Sequence, residues 1–340
     1  MISLQATRTS PAISLVDEFS RPITYLRVSV TDKCNLRCVY CMPESGLAWL
    51  GRDEILSYEE IAEIVRAAAS VGVRSIRLTG GEPLIRRELS RLVAALAAIP
   101  GIEDIALSTN GLLLEEQIGA LAAAGLRRVN LSLDTLRPDR FETIARRPGL
   151  DLVLRGLDAA IRAGLAPVKL NCVIMRGQND DELIEFAMLT KDRPIFVRFI
   201  EVMPVHENLE LQRDAYVSSD EILERISAGA QLEAVPGPHG NGPARYFAFP
   251  GALGAVGVIS PLSHDYCGTC NRVRLTADGR LRLCLFGDHA LDLRTPLRAG
   301  ASMEELAGLL GSAMLIKPAR HHLRLGETAS RMRAFSEIGG

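Results

Sequence analysis

The chain alternates between two hydrophobic periods. Residues 23–30, Ile-Thr-Tyr-Leu-Arg-Val-Ser-Val, repeat every second position as a strand does, which puts Arg27 and Ser29 on one face. Ser57 and Glu60 then bracket the start of an apolar helical pattern, a capping box that predicts a helix to about Val71. Residues 73–79 return to a strand pattern, with Arg77 and Thr79 on one face, and end in Gly80-Gly81-Glu82-Pro83. From there the two patterns repeat. A helix near 87–98 leads to a strand at 104–108, and one at 114–124 leads to 128–133. Helical stretches at 138–146 and 150–163 lead to 167–174. A helix at 179–190, with Asn179 and Glu182 expected as cap partners, leads to 194–201.

Six strands, each after the first preceded by a helix, imply right-handed crossovers and a parallel sheet. Six units fall short of the eight of a closed barrel. The expectation is an α/β fold built as an incomplete (βα)6 TIM-like barrel, with a flat doubly wound sheet as the alternative. Parallel strands are ordinarily near-continuous Val, Ile and Leu, but these carry polar residues on the expected inner face: Arg27, Arg77, Ser108, Ser132, Lys169, Asn171 and Arg198. Buried cations are costly without partners. Four of them around one barrel predict acidic partners or a polyanionic, phosphorylated ligand.

Residues 202–340 change character. A short helix is expected at 218–227, a Gly/Pro-rich loop at 236–243, and short strands at 244–249 and 255–259. Asp278-Gly279 between two apolar runs signals a hairpin, and a last helix is expected at 302–310. The expected organisation is an N-terminal extension at 1–20, loosely held, then a partial barrel at 21–203 and a C-terminal capping region at 204–340 that ends in Gly339-Gly340.

The composition narrows the function class. The 340 residues are 47% hydrophobic and carry a formal net charge of −2, so nothing predicts general attraction to nucleic acid or to a membrane surface. The charge is uneven. From Cys267 onward there are eleven Lys/Arg against seven Asp/Glu, so an anionic ligand is expected to meet that part of the chain. No signal peptide is expected, and no apolar run approaches the length of a membrane span. Six of the seven cysteines fall into two groups of three. Clustering in a long chain argues for metal ligation in a reducing cytoplasm and against a secreted disulfide framework.

The first group, Cys34-x3-Cys38-x2-Cys41, puts three thiols on one loop with no fourth nearby. Three thiolates can hold three irons of a cubane cluster and leave the fourth iron open for chemistry, whereas clusters that only carry electrons use four cysteines. The second group, Cys267-x2-Cys270-x13-Cys284, again gives three thiolates and one vacant position once the hairpin folds Cys284 back. A structural zinc remains the alternative, with His264 or His289 as fourth ligand of the second group. His321 and His322 are adjacent, so they would not face one site on an ordered helix. No Gly-x4-Gly-Lys-Ser/Thr loop exists, so any nucleotide must be held by side chains.

With Tyr40 before its last cysteine, the first triad resembles the signature of radical S-adenosylmethionine (SAM) enzymes. Gly80-Gly81-Glu82-Pro83 after the second strand is similar to their glycine motif. The second triad with Asn271-Arg272-Val273-Arg274 inside it, Arg77, Ser108-Thr109-Asn110-Gly111, residues 196–204, Lys317-Pro318 and the terminal Gly339-Gly340 resemble the GTP 3′,8-cyclase family of molybdenum cofactor biosynthesis. The likeness runs from about residue 20 to 340, with Ser108 standing where threonine is common in the family.

The resemblance implies a lyase with two 4Fe–4S clusters, on Cys34, Cys38 and Cys41 and on Cys267, Cys270 and Cys284. It implies S-adenosylmethionine held near Tyr40, Gly81, Ser132 and Met203. GTP would be gripped by Arg27, Arg77, Ser108, Lys169, Arg272 and Arg274, with Arg198 beside the same cradle and Arg272 and Arg274 catalytic. A 5′-deoxyadenosyl radical would take hydrogen from ribose C3′, and C3′ would attack guanine C8. The products would be 3′,8-cyclo-7,8-dihydro-GTP, 5′-deoxyadenosine and methionine. Also implied are an electron donor, hand-over to cyclic pyranopterin monophosphate synthase, and a cytoplasmic monomer or homodimer. Rival readings are a twin-cluster radical enzyme acting on a peptide and a zinc-binding scaffold protein.

Overall fold

The computed structural model describes residues 15–43, 45–203, 213–238, 242–323 and 334–338. Its centre is a run of six parallel strands: β1 (Tyr25–Ser29), β2 (Ser75–Thr79), β3 (Asp104–Thr109), β4 (Arg128–Ser132), β5 (Val168–Ile174) and β6 (Ile195–Glu201). Between them lie α1 (Tyr58–Ser70), α2 (Leu89–Ala97), α3 (Leu114–Ala123), α4 (Pro138–Ala145), α5 (Leu150–Arg162) and α6 (Leu183–Asp192). Alternate strand residues such as Leu26, Val28, Ile76, Leu78, Leu107, Leu131, Leu170 and Val197 are fully buried against apolar helix faces such as Ile61, Ile64 and Val65 of α1. Each such Leu or Ile contributes roughly 1.5–3 kcal/mol relative to exposure. This is the incomplete barrel that the alternation predicts.

The C-terminal region also builds the wall. A helix α7 (Ser219–Ser227) precedes β7 (Glu233–Val235), β8 (Arg245–Ala248) and β9 (Ala255–Ile259); then come β10 (Arg272–Leu275), β11 (Arg280–Arg282) and β12 (Ala290–Asp292). Strand β9 pairs parallel with β6, and β10 pairs parallel with β1. One twelve-stranded sheet results, in the order β12-β11-β10-β1-β2-β3-β4-β5-β6-β9-β8-β7. The hairpin at Asp278-Gly279 forms as expected between β10 and β11, with Gly279 at φ +81°.

The expected capping box forms, and a second one forms where the sequence reading predicts only a helix. Ser57 and Glu60 open α1, and Ser302 and Glu305 open α9 (Met303–Met314), which follows the short α8 (Arg294–Arg298). Asn179 and Glu182 do not cap α6, which begins at Leu183. Asn179 is buried; its amide donates to the Asp134 and Val173 carbonyls at 2.6 and 2.9 Å and accepts from Met175 N–H. Glu182 accepts from the Thr135 hydroxyl and Leu136 N–H. The pair ties the end of β4 to the end of β5, since buried loop amides take whatever partners close the polar accounting.

Residues 15–20 are also firmer than a loose extension. Leu15 is buried and donates to the Val71 carbonyl, and Asp17 forms a buried ion pair with Arg21 at 2.6 Å. Residues 1–14 and the Gly339-Gly340 tail lie outside the described residues. No described helix is long and apolar enough to cross a membrane.

Candidate active site

The polar strand face opens into a cavity of about 270 Å³ at the C-terminal ends of the strands. Register explains its composition. Arg27 on β1 stands opposite Arg77 on β2 and Arg274 on β10, while Tyr25 stands opposite Arg272. Ser108 pairs with Asn130, Ser132 with Asn171, and Asn171 with Arg198. Parallel strands in register present opposite residues to one face, so all ten of these side chains line the cavity.

The first cysteine loop forms the other wall, with Cys34, Cys38, Tyr40 and Cys41 on the cavity. Several bonds fix that loop. Arg37 N–H and Val39 N–H donate to the Ala145 and Ile144 carbonyls, both at 3.0 Å. The Arg37 guanidinium donates to the Cys34 and Leu36 carbonyls and lies 5.1 Å from the centre of the Trp49 ring. Asn110 donates to Asn35 Oδ1 at 2.8 Å and reaches Cys34 Sγ at 3.9 Å. The Tyr40 hydroxyl donates to Asp134 Oδ2 at 2.7 Å, and Asp134 Oδ1 accepts from Val173 N–H. The backbone N–H groups of Phe335 and Ser336 donate to Cys41, so the end of the chain closes over the loop. Gly81 has a reason of its own: a Cβ there would collide with the Lys33 carbonyl.

All three thiols are free, and each is within electrostatic reach of the others. Burial pushes Cys34 up to about 11 and Cys41 up to about 12. Such thiols give up their protons to a bound metal, not to water. Three soft donors on one rigid loop, facing a cavity, fit a cluster held at three corners.

The opposite wall is strongly cationic. Burial, then the charge of Arg274, pulls the Arg27 guanidinium well below its ordinary range, and Arg198 and Arg274 are lowered too, chiefly by burial. Burial would raise the Tyr25 phenol, but Arg77 and Arg27 outweigh it and draw it down; its oxygen accepts from Arg77 Nε. Arg198 is held by Asn171 Oδ1, and Arg77 Nη1 reaches Ser108 Oγ at 3.5 Å. The buried Nε of Arg274 has no hydrogen-bond partner among the described residues.

The expected SAM residues Tyr40, Gly81, Ser132 and Met203 all reach the cavity. Lys169 does not line it. That side chain is buried, with a pKa lowered to about 7 by burial and then by Arg198, Arg77 and Arg128. Tyr25, Asn130, Asp134 and Tyr266 line the cavity although the sequence reading did not single them out. Tyr25 shares the period-two face of Arg27, and that signal would have found it.

The second triad stands one step behind the wall. Tyr266, Arg272 and Leu285 line the cavity, while their chain neighbours Cys267, Cys270 and Cys284 do not. The three thiols are free, and Cys267 lies within electrostatic reach of the other two. Burial opposes ionisation of Cys270, but Lys317, Arg272 and Arg274 overcome it and hold its pKa below the ordinary thiol value. Neither histidine expected as a fourth ligand takes that role: His264 is bonded to Asp220 at 2.7 Å, and His289 is exposed. His321 donates its backbone N–H to Cys267 and packs its ring edge-on against Phe286.

Comparison with known proteins agrees with this geometry. Residues 28–190 match the Radical SAM superfamily, and residues 195–323 match the Molybdenum Cofactor Synthesis C family. The chain therefore belongs to the radical SAM superfamily. A GTP 3′,8-cyclase of Heliobacterium modesticaldum is 51% identical over 327 residues, covering 96% of this chain and 100% of that protein. One of Moorella thermoacetica is 50% identical over 324 residues, covering 95% and 99%. Within the superfamily, the chain is a member of the GTP 3′,8-cyclase family. Among solved structures, Streptococcus suis SuiB bound to S-adenosylmethionine shares the fold with a TM-score of 0.58 at 14% identity. That match covers 81% of this chain but only 64% of SuiB, less than two thirds of its length.

Proposed function

We infer that the chain is a radical SAM lyase that converts GTP to 3′,8-cyclo-7,8-dihydro-GTP, releasing 5′-deoxyadenosine and methionine, at the first step of molybdenum cofactor biosynthesis. The observation that carries this reading is the row Arg274, Arg27, Arg77 across three adjacent strands, facing the three-cysteine loop over one cavity.

Cys34, Cys38 and Cys41 would hold a 4Fe–4S cluster, and the turn at Gly81, Ser132, Met203 and the Tyr40 backbone would hold S-adenosylmethionine. When bound, this pair supplies one-electron cleavage of the sulfonium and so a carbon-centred radical able to take hydrogen from an unactivated C–H bond. Arg27, Arg77, Arg272 and Arg274 bind the triphosphate and ribose, with Ser108 adding a hydrogen bond. Arg198 extends the same field. Lys169 lies outside the cavity lining and does not touch ligand. Arg272 and Arg274 fix the nucleotide so that ribose C3′ points at the S-adenosylmethionine side and guanine C8 lies over C3′, the alignment that ring closure needs. Phe335 and Ser336 exclude water from the mouth.

Cys267, Cys270 and Cys284 would hold a second 4Fe–4S cluster beside the end of the cavity that Tyr266, Arg272 and Leu285 line. The barrel at 21–203 then generates the radical, and the region at 204–340 selects the substrate. The enzyme needs an electron donor, and its product would pass to cyclic pyranopterin monophosphate synthase. Anaerobic reconstitution with iron and sulfide, followed by S-adenosylmethionine, reductant and GTP, tests this. Equal amounts of 5′-deoxyadenosine and cyclised nucleotide are expected; 5′-deoxyadenosine without a cyclised nucleotide would point to another substrate.

A further inference from the structure

Two buried cations grip the second cysteine triad from outside the cavity. Lys317 Nζ donates to the Leu283 carbonyl at 2.5 Å, to the Arg272 carbonyl at 3.2 Å and to Cys270 Sγ at 3.8 Å. Leu283 precedes Cys284, and Arg272 follows Cys270 by two residues, so one ammonium joins both segments. Arg21 completes the clamp. Its Nη1 donates to the Cys267 and Ala319 carbonyls and its Nη2 to the Pro318 carbonyl, all at 2.7 Å. The loop of Cys267 and the turn that carries Lys317 are thus fastened to each other.

The charge balance at Lys317 is unusual. The residue is only 3% exposed, and a lysine ammonium is a compact charge that is costly to bury unless negative charge meets it. Two carbonyls and a sulfur occupy its three protons, which satisfies hydrogen bonding but supplies no full negative charge. Asp17, the carboxylate that acts on it, is already bonded to Arg21. The groups it faces are the sulfurs of Cys270 and Cys284, which would carry negative charge as ligands of a bound cluster.

We propose that Lys317 is a positioning residue of the second triad, and that its ammonium sets the reduction potential of the iron–sulfur cluster held there. This rests on the reading above that Cys267, Cys270 and Cys284 hold such a cluster. Reduction adds negative charge, so a buried cation at hydrogen-bond distance from a ligand sulfur favours the reduced form. Cluster potentials respond to both net charge and hydrogen bonds to sulfur. Lys317 lies outside the cavity wall, so the effect needs no contact with substrate.

The test starts from the reconstituted full chain. Iron and sulfide are measured in the wild type and in Cys284→Ser, which establishes the second cluster independently of Lys317. Redox titration followed by electron paramagnetic resonance then compares wild type, Lys317→Arg, Lys317→Gln and Lys317→Met at equal iron loading. The second cluster is expected to shift to a more negative potential in Lys317→Gln and Lys317→Met and to return toward the wild-type value in Lys317→Arg. The first cluster should be unchanged throughout. Should Lys317→Met fail to fold, Lys317→Gln carries the same comparison. A neutral variant with the wild-type potential overturns the role of Lys317 and leaves the two-cluster reading standing. Cys284→Ser with undiminished iron overturns that reading, and the proposal with it.

Discussion

Arg27 stands directly opposite Arg274 across the parallel β1–β10 pair, and Arg77 stands opposite Arg27 on its other side. Three guanidinium-bearing residues in one row of a buried wall repel one another. The rest of the sheet imposes the arrangement, and a bound polyanion would relieve it.

Arg274→Ala should therefore weaken the handling of GTP and not the integrity of the fold. Losing charged hydrogen bonds costs about 1.5–3 kcal/mol, a roughly 10- to 100-fold fall in kcat/KM. Iron content and slow S-adenosylmethionine cleavage without GTP should stay at wild-type values. Steady-state kinetics at several GTP concentrations decide the point, and an unchanged kcat/KM would remove Arg274 from the cradle.

Cys284→Ser should halve the bound iron while S-adenosylmethionine is still cleaved on addition of reductant. Loss of all iron would mean that the two triads are not independent sites.

Tyr40→Phe removes the hydroxyl that Asp134 accepts at 2.7 Å and leaves a buried carboxylate oxygen unpaired. An unmet buried group costs roughly 1–3 kcal/mol. The variant should load its first cluster normally but bind S-adenosylmethionine several-fold more weakly, because the loop loses its tie to the end of β4. Calorimetric titration of the reconstituted protein measures this. Wild-type affinity would limit Tyr40 to a backbone role.

Lys169 gives a pH prediction. Its folded pKa is about 7 against 10.5 for an ordinary lysine, with burial as the main cause. Between these values the unfolded chain binds more protons than the folded one, so stability should rise with pH across that window, by at most about 1.4 kcal/mol per pH unit. Thermal melts of the metal-free chain from pH 7 to 9 should show this rise, and Lys169→Met should flatten it. Equal slopes in the two proteins would show that Lys169 stays charged in the fold.

How much of this was legible in the sequence depended on length and period. The strands β1 to β6 and their helices were readable because each repeats its period over several residues. The parallel pairing of β9 and β10 was not, since strands of five and four residues carry no signal of which neighbour they join or in which orientation. The cysteine triads and the cationic strand face were readable from residue type and spacing. Asn179 and Glu182 misled because a cap and a buried loop tie use the same side chains. Arg21 and Lys317 act on backbone carbonyls far away in sequence, and nothing in local pattern marks such contacts. Lys169 shares the inner face of its strand yet lies outside the cavity lining, a matter of depth that periodicity does not encode.

The central claim is that this cavity directs a radical to one hydrogen of GTP. Turnover of GTP deuterated at ribose C3′, with mass analysis of the 5′-deoxyadenosine released, tests it most directly. The proposed placement of Arg272 and Arg274 at the ribose predicts one deuterium in the 5′-deoxyadenosine for each cyclised nucleotide formed. Unlabelled 5′-deoxyadenosine accompanying full turnover would contradict it.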